Sequence, residues 1–337
     1  MTNVSTSPHV RSGLSTSTVM RDVAIALMPA LLFGVFVFGL RALIIIALCA
    51  VCSVLTEFVY EKLMKLPVTI ADGSALVTGL ILAMNLPSTV PFWVPVMGSV
   101  FAILFVKQLF GGIGQNFMNP ALAARAFLII SFPAIMGGTW ETVGNLFGKN
   151  ALDSFVQRMS GITVDAASTA TPLAVLQSGG EVDLLQAFFG LHTGCIGEVS
   201  SLAILIGAVY MIARGVISPR IPVVCVGSTV AFAFLLNLLA GNGVVGVNYL
   251  VGQTVTGGLL AGAVFMATDY VTSPITRGGQ WIYAILIGFL TALFRVFGTA
   301  AEGVSYAIII SNTLVPLIER VSMPRTFGQT RKGGAVR

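Results

Sequence analysis

Long apolar runs separated by short polar stretches make up most of this chain. The runs stand at residues 23–40, 42–59, 74–87, 92–109, 119–136, 199–213, 221–240, 254–268, 281–297 and 303–318. Most are 15 to 20 residues long and uninterrupted, close to what a helix needs to cross a bilayer, whereas the strands of membrane barrels alternate over about 10 residues. The pattern therefore predicts an all-α integral membrane protein of about ten transmembrane helices.

The two halves of this pattern resemble each other. Residues 78–83 (TGLILA) are similar to 256–261 (TGGLLA), and 104–111 (LFVKQLFG) to 293–298 (LFRVFG). These matches fall in the third and fourth runs, then in the eighth and ninth. A repeat of five spans is odd in number, so its second copy enters the membrane from the opposite side. The third and eighth runs are also short and set among Gly, Pro, Asn and Thr, which predicts broken helices there.

Basic residues predict the orientation. With the amino terminus inside, thirteen Lys and Arg residues lie in inner segments and only Arg41, Lys149, Arg158 and Arg295 in outer ones, so both termini are expected in the cytoplasm. The predicted organisation is a cytoplasmic amino-terminal segment (1–22), a first membrane repeat (23–136), an extracytoplasmic loop (137–198), a second repeat (199–318) and a cytoplasmic basic tail (319–337).

Composition narrows the function. The chain is 56% apolar and only 9% charged, with a mean hydropathy of +0.94, whereas soluble domains carry about a quarter charged residues. The net charge of +5 comes from basic residues scattered over short loops, which argues against a nucleic-acid partner. His9 and His192 are the only histidines, so a bis-histidine haem in the membrane has no ligands. The four cysteines form no disulfide framework, and no catalytic residue set or metal site is visible.

The outer loop contains the stretch 165–173 (DAASTATPL). On pattern alone it is a Ser/Thr-rich turn ahead of a proline. This stretch and five other segments, spread over roughly residues 20 to 328, resemble the same protein family. The five segments are 72–80 (DGSALVTGL), 111–121 (GGIGQNFMNPA), 194–200 (GCIGEVS), 265–274 (FMATDYVTSP) and 312–318 (NTLVPLI). The chain resembles the D-type membrane component of the Rnf complex (RnfD) and its relative, the B-type component of the sodium-pumping NADH:quinone reductase (NqrB). The short lead and the ending 324–328 (PRTFG) favour the Rnf type.

The resemblance implies FMN bound covalently through a phosphoester to Thr171, the last residue of the tetrad Ser168, Thr169, Ala170 and Thr171, which follows Asp165. Thr169 stands where the family often has Gly, and Ala166 departs from the usual Gly as well. A second, non-covalent flavin such as riboflavin is also implied. Asn116 and Asn119 are either its ligands or simple helix caps.

Ionisable residues inside an apolar run are costly and need a partner or a polar cavity. Arg125 lies within the fifth run, where it either steadies a flavin ring or its phosphate, or caps carbonyls of a broken helix. Glu57, Glu198 and other acids near the ends of runs are expected at the membrane interface. The resemblance makes Asp269 and Glu319 candidates for the ion route.

The implied function is that of a membrane component of an ion-translocating ferredoxin:NAD⁺ oxidoreductase in a bacterial inner membrane. Such a component is not catalytic alone. It would carry electrons on the outer face and couple their transfer to Na⁺ or H⁺ export. Its partners would be the A, B, C, E and G components of Rnf, especially the flavin-bearing G and the NADH-binding C. A cofactor-free channel or transporter for a small solute also fits the inverted repeat, and a structural anchor for redox partners is a further alternative.

Overall fold

A computed structural model describes residues 15–137, 171–190, 192–240, 246–298 and 303–324. Its helices are α1 (Thr16–Phe38), α2 (Leu40–Leu63), α3 (Ser74–Met84), α4 (Trp93–Phe110), α5 (Pro120–Ser131), α6 (Pro133–Gly137), α7 (Pro172–Gln177), α8 (Leu184–Phe189), α9 (Ser201–Ala213), α10 (Arg220–Leu239), α11 (Val247–Val255), α12 (Leu259–Met266), α13 (Arg277–Phe297) and α14 (Val304–Ser322). The described part of the chain is thus all-helical, as expected.

Within the described ranges, six helices are long and apolar enough to cross a membrane: α1, α2, α4, α10, α13 and α14. The pair α11 and α12 brings the number to seven if it counts as one span, with a bend of 52° between its halves. Three apolar helices are shorter, with α3 having 11 residues, α5 having 12 and α9 having 13. Length and composition together support a multi-pass membrane protein.

Local chemistry explains where these helices stop. Gly39 separates α1 from α2 with a φ of 74°, a value that glycine adopts readily. Pro133 divides the predicted fifth span into α5 and α6, because a proline cannot donate the next helical hydrogen bond. The predicted eighth span starts earlier than expected, at Val247, and is interrupted between Val255 and Leu259. Gly257 lies in this interruption with a φ of 69°.

The amino-terminal segment 1–22 was expected to precede the first span, but α1 already begins at Thr16. Ser15 caps it by accepting a hydrogen bond from the backbone N–H of Thr18, which satisfies one of the free donors at a helix start. Hydrophobicity alone misses this beginning because the first turns of α1 are polar.

Glycines let several helices approach closely. A Cβ on Gly207 in α9 would overlap the Ala26 carbonyl oxygen in α1. A Cβ on Gly288 in α13 would overlap Ser228 Oγ in α10. Close backbone contact of this kind holds helices together where lipid removes the hydrophobic drive for association.

Two ends of the bundle can be told apart by their contacts. At one, which we call the cavity end, Arg214 after α9 donates to Asp22 of α1 over 3.1 Å, and Tyr270 after α12 donates to the Val216 carbonyl.

At the other end of the bundle, which we call the cleft end, Ser201 donates to the Val255 carbonyl over 2.8 Å. Chain segments unwound before α9 and after α3 also pair there, since the Ile196 N–H donates to the Leu86 carbonyl over 3.0 Å.

Candidate functional site

Thr171 lies at the start of α7, at the cleft end of the bundle. Its Oγ1 accepts a hydrogen bond from the Ala174 N–H over 3.3 Å and so caps the helix. The side chain is half-buried and opens into a cleft of about 260 Å³, including the open space at its mouth. This cleft, hereafter the Thr171 cleft, is lined by Thr171, Pro172, Leu173, His192, Thr193, Gly194, Glu198 and Gly257.

Contacts with the spanning helices hold α7 in place. Gln177 donates to the Arg295 carbonyl of α13 over 2.9 Å. Leu176 packs so closely on α11 that a Cβ at Gly252 would lie 2.6 Å from its Cδ1. Thr171 therefore has a definite place relative to the membrane core. The other tetrad residues, Ser168, Thr169 and Ala170, and the preceding Asp165 lie outside the described residues.

His192 contributes an unusual polar atom to the Thr171 cleft. Its Nδ1 lies 3.0 Å from the Thr193 carbonyl oxygen, while its Nε2 is buried with no hydrogen-bond partner. Burial lowers the pKa of His192, although carbonyls of Thr193, Ala187 and Val199 oppose the shift. The ring is thus neutral near pH 7 in the unmodified chain.

Glu198 connects the cleft with the interior. Its carboxylate contacts the interruption between α11 and α12, since a Cβ on Gly258 would overlap Glu198 Oε1. The same oxygen accepts from Arg125 Nη1 over 2.9 Å, and the two side chains are only 3% and 5% exposed. Glu198 and Glu57, which the sequence places near the membrane interface, are both buried within the protein, each against a cation.

Arg125 in α5 forms the centre of this interior network. Besides Glu198, it donates to Asn85 Oδ1 over 2.6 Å and to Ser305 Oγ over 3.1 Å, and Cys195 Sγ lies 3.7 Å from its Nη2. Asn85 is the residue that ends α3. The guanidinium thus joins α5, α14, the end of α3 and the segment before α9, in line with the expectation that a buried charge faces a partner.

A cavity of about 790 Å³, including the space at its mouth, opens at the other end of the bundle. Asn116, Asn119 and Asp269 all line it, although the sequence separates Asp269 from the asparagines by about 150 residues. Asn119 caps α5 by accepting from the Ala121 and Leu122 N–H groups, as one of the two interpretations predicted. Its amide also donates to the Met266 carbonyl over 3.3 Å.

Asp269 follows α12, where its carboxylate accepts from Thr272 Oγ1 over 3.1 Å and from the Val271 N–H over 3.4 Å. Burial raises the pKa of Asp269, and these hydrogen bonds together with Asn116 oppose the rise. Glu319 is not among the residues that line this cavity. It lies near the end of α14 and accepts from the Ile275 N–H over 3.1 Å, so the two ion-route candidates occupy different surroundings.

Two further buried cations escaped the sequence-based prediction. Lys107 of α4 donates to Glu57 over 2.5 Å and to Ser74 over 2.6 Å, and it is 3% exposed. Arg295 of α13 is 1% exposed and donates to both the carbonyl and the side-chain oxygen of Gln253, over 2.6 and 2.9 Å. The similarity of 104–111 to 293–298 places the two cations at nearly matching positions, a signal that could have marked them as buried.

Comparison with known proteins gives a consistent answer. The model of the NQR2, RnfD, RnfE family matches residues 3–328. The chain is 46% identical over 97% of its length to the D component of the Na⁺-translocating ferredoxin:NAD⁺ oxidoreductase complex of Acetobacterium woodii, 96% of which is covered. It is 39% identical over 97% of its length to the D component of the proton-translocating ferredoxin:NAD⁺ oxidoreductase complex of Clostridium ljungdahlii, also covered to 96%.

A third relative is the D component of the ion-translocating oxidoreductase complex of Stutzerimonas stutzeri, to which the chain is 37% identical with 95% of its own length and 94% of the relative covered. These matches span nearly the whole of each chain, so the similarity is not confined to one motif. The chain belongs to the NQR2, RnfD, RnfE family, on its RnfD side.

Proposed function

We propose that this chain is the RnfD membrane component of an ion-translocating ferredoxin:NAD⁺ oxidoreductase, and that it carries FMN through a phosphoester on Thr171. The relatives named above support the complex. The observation that carries the flavin proposal is the placement of Thr171 in a cleft whose wall includes Glu198, the partner of the buried Arg125. A group attached at Thr171 would therefore lie next to charges that reach into the membrane core.

The carboxylate in the cleft wall, Glu198, is paired with Arg125, so it does not by itself exclude a phosphate ester. Even with the open space at its mouth, the cleft measures only about 260 Å³, whereas pockets that enclose whole cofactors measure roughly 300–1,000 Å³. A group esterified to Thr171 would therefore extend from the mouth of the cleft. Arg295 lies directly behind Gly257, because a Cβ on that glycine would be 3.0 Å from Arg295 Nη2. A bound flavin would supply reversible electron carriage, with its potential set by the surrounding protein.

The chain's own residues offer an electrostatic connection between the two ends. Glu198 in the Thr171 cleft binds Arg125, and Arg125 binds Asn85. The Asn85 amide lies 3.8 Å from Met266 Sδ, and the Met266 carbonyl accepts from Asn119 in the cavity. In a medium of low dielectric, a change of charge at the cleft is felt along this series more strongly than in water. The coupling we propose is that such a change alters cation affinity beside Asp269.

The cavity end is the better place for a second, non-covalent flavin such as riboflavin. Asn116 and Asn119 supply amide groups there, and most of the cavity wall is apolar, the usual composition of a small-molecule site. We assign the mouth of this cavity to the cytoplasmic face and the Thr171 cleft to the outer face, because most basic residues of the loops then lie inside. Both termini are then cytoplasmic, in a bacterial inner membrane.

The buried cations support ten spans arranged as two inverted repeats. Lys107 binds Ser74 at the start of α3, at the cavity end. Arg295 donates to the Thr256 carbonyl over 3.4 Å, just before α12 and at the cleft end. In each half, a cation from the fourth span thus contacts the start of the short helix in the third span. The two contacts lie at opposite ends of the bundle, as an inverted repeat requires.

Two of the relatives named above carry different coupling ions in their names, Na⁺ and protons, so either cation fits the proposal. The partners we propose are the remaining Rnf components, A, B, C, E and G, with electrons passing between the flavin-bearing G and the NADH-binding C. The rival functions are a cofactor-free channel and a structural anchor. Neither needs a flavin acceptor in the cleft.

Mass spectrometry of the purified chain tests the flavin proposal. The chain is expressed with its flavin transferase and partner proteins, as wild type and with Thr171→Val or Thr193→Val, the second being a matched threonine of the same cleft. We expect an FMN adduct on the peptide containing Thr171 in the wild type and in Thr193→Val, but not in Thr171→Val. An unmodified Thr171, in a preparation whose G component does carry flavin, would overturn the proposal.

A further inference from the structure

The unpartnered nitrogen of His192 has no function in the fold as described. Its Nδ1 can donate to the Thr193 carbonyl, 3.0 Å away, which satisfies one side of the ring. Its Nε2 is buried without a hydrogen-bond partner, and such an atom costs about 1–3 kcal/mol in a folded protein. A histidine retained purely for packing would be expected to satisfy both nitrogens.

The surroundings indicate what this nitrogen would bind. His192 and Thr171 line one small cleft. Glu198 also faces this cleft, and Arg295 lies behind its Gly257 wall. Glu198 is bound to Arg125 over 2.9 Å, and Arg295 is bound to oxygens of Gln253 and Thr256. These contacts commit both charges to the protein, whereas the Nε2 of His192 makes no hydrogen bond that a ligand would have to replace.

We propose that His192 binds the phosphate esterified to Thr171, taking up one proton from water so that Nε2–H donates to a phosphate oxygen. The inference rests on the proposed function, because it presumes that Thr171 carries the ester. A phosphodiester has one negative charge, and an imidazolium beside it offsets that charge in a partly buried site. His192 is then a positioning residue, which orients the phosphate and with it the ring that extends from the cleft.

Proton uptake is the measurable consequence. In the unmodified chain, burial favours the neutral ring, so His192 should stay neutral at pH 7. In the modified chain, the phosphate favours the imidazolium, and the titration midpoint should move upward by about 1–3 pH units, the usual effect of an opposite charge within about 4–6 Å. Glu198 is common to both forms, so the difference between them reports the ester.

Histidine-selective ¹⁵N labelling makes this difference observable. The chain has only two histidines, His9 and His192, so the spectrum in lipid nanodiscs has two imidazoles, and His9→Gln assigns them. We would titrate the flavin-bearing chain and the unmodified Thr171→Val chain between about pH 4.5 and 8.5, around the ordinary His pKa of about 6.5. We expect the His192 midpoint to be at least about one pH unit higher in the flavin-bearing chain, with the His9 midpoint unchanged.

The ³¹P resonance of the ester provides a second readout. It should move with the same midpoint as His192 in the wild type, and that movement should vanish in His192→Gln, which retains a polar side chain but cannot take up a proton. Equal His192 midpoints with and without the ester, or a ³¹P titration that survives His192→Gln, would overturn the proposal. Mass spectra of the same samples separate the two hypotheses. A chain without the FMN adduct refutes the flavin proposal. A chain that carries the adduct but has the same His192 titration midpoint as Thr171→Val refutes only the role of His192.

Discussion

The pair Arg125–Glu198 should be among the most sensitive points of the membrane core. Both side chains are at most 5% exposed and their charged atoms are 2.9 Å apart. Removing one member of a buried pair leaves an uncompensated charge and costs about 3–5 kcal/mol, whereas replacing both by apolar residues is often tolerated. We therefore expect Arg125→Leu and Glu198→Leu each to lower the free energy of unfolding by about 3–5 kcal/mol.

The double variant should be less damaged than the sum of its parts. Arg125 also donates to Asn85 and Ser305, so the variant Arg125→Leu/Glu198→Leu still leaves two polar side chains with fewer partners. Residues in contact usually show coupling energies of about 0.5–3 kcal/mol, and a buried pair belongs at the upper end. We expect a coupling of about 2–3 kcal/mol, stabilising the double variant relative to additivity.

Denaturant-induced unfolding in mixed micelles measures all four proteins of this cycle. Arg214→Gln serves as a control, because Arg214 binds Asp22 from a side chain that is 49% exposed. Asp22 is 4% exposed but keeps its hydrogen bond from Tyr210, so loss of this half-exposed pair should cost less than loss of the Arg125–Glu198 pair. Strict additivity of the Arg125 and Glu198 variants, or equal effects of the Arg125 and Arg214 variants, would show that a desolvated ion pair does not hold the core together.

Two other predictions concern packing and the ion route. Gly288→Ala should lower the free energy of unfolding by about 1–3 kcal/mol through overpacking, because the added Cβ would overlap Ser228 Oγ. Gly227→Ala is the control: no atom lies within 4 Å of the Cβ it would add, so it should be nearly neutral in the same unfolding assay. Asp269→Asn should reduce redox-driven ion uptake into proteoliposomes while leaving the flavin content intact, and equal loss of both would argue against a separate ion site. Because burial raises the pKa of Asp269, acidification should protonate it earlier than an exposed aspartate, so wild-type and variant uptake rates should converge as the pH falls.

Much of the fold could be predicted from the sequence because apolar run length translates directly into helices. The long helices α2, α4, α10, α13 and α14 lie within a few residues of the predicted spans. The short third span and the interrupted eighth could be predicted from their Gly, Asn and Thr residues. A hydrophobicity pattern does not show where a helix with a polar first turn begins, as α1 does. It also does not show that Pro133 ends a helix inside an apolar run.

The site depended more on the fold. A partner for Arg125 was expected on energetic grounds, but Glu198 is 73 residues away, and only the packing of α5 against the segment before α9 brings the two together. The sequence argues only that His192 and His9 cannot form a haem-binding pair, because no local pattern connects His192 with Thr171. Resemblance points separately to Asp269 and to Asn116 and Asn119, while their common cavity follows from the meeting of α5 with the end of α12.

Redox-driven ion uptake by the whole complex is the decisive measurement of what Thr171 does. Proteoliposomes containing the complex, with wild-type chain or Thr171→Val, would receive reduced ferredoxin and NAD⁺, and ion accumulation and NADH formation would be followed together. If Thr171 holds the flavin through which electrons pass, the variant should lose both activities, while Thr193→Val keeps them. An unimpaired Thr171→Val complex, with ion uptake and NADH formation at the wild-type rates, would rule out an electron path through a flavin on this residue.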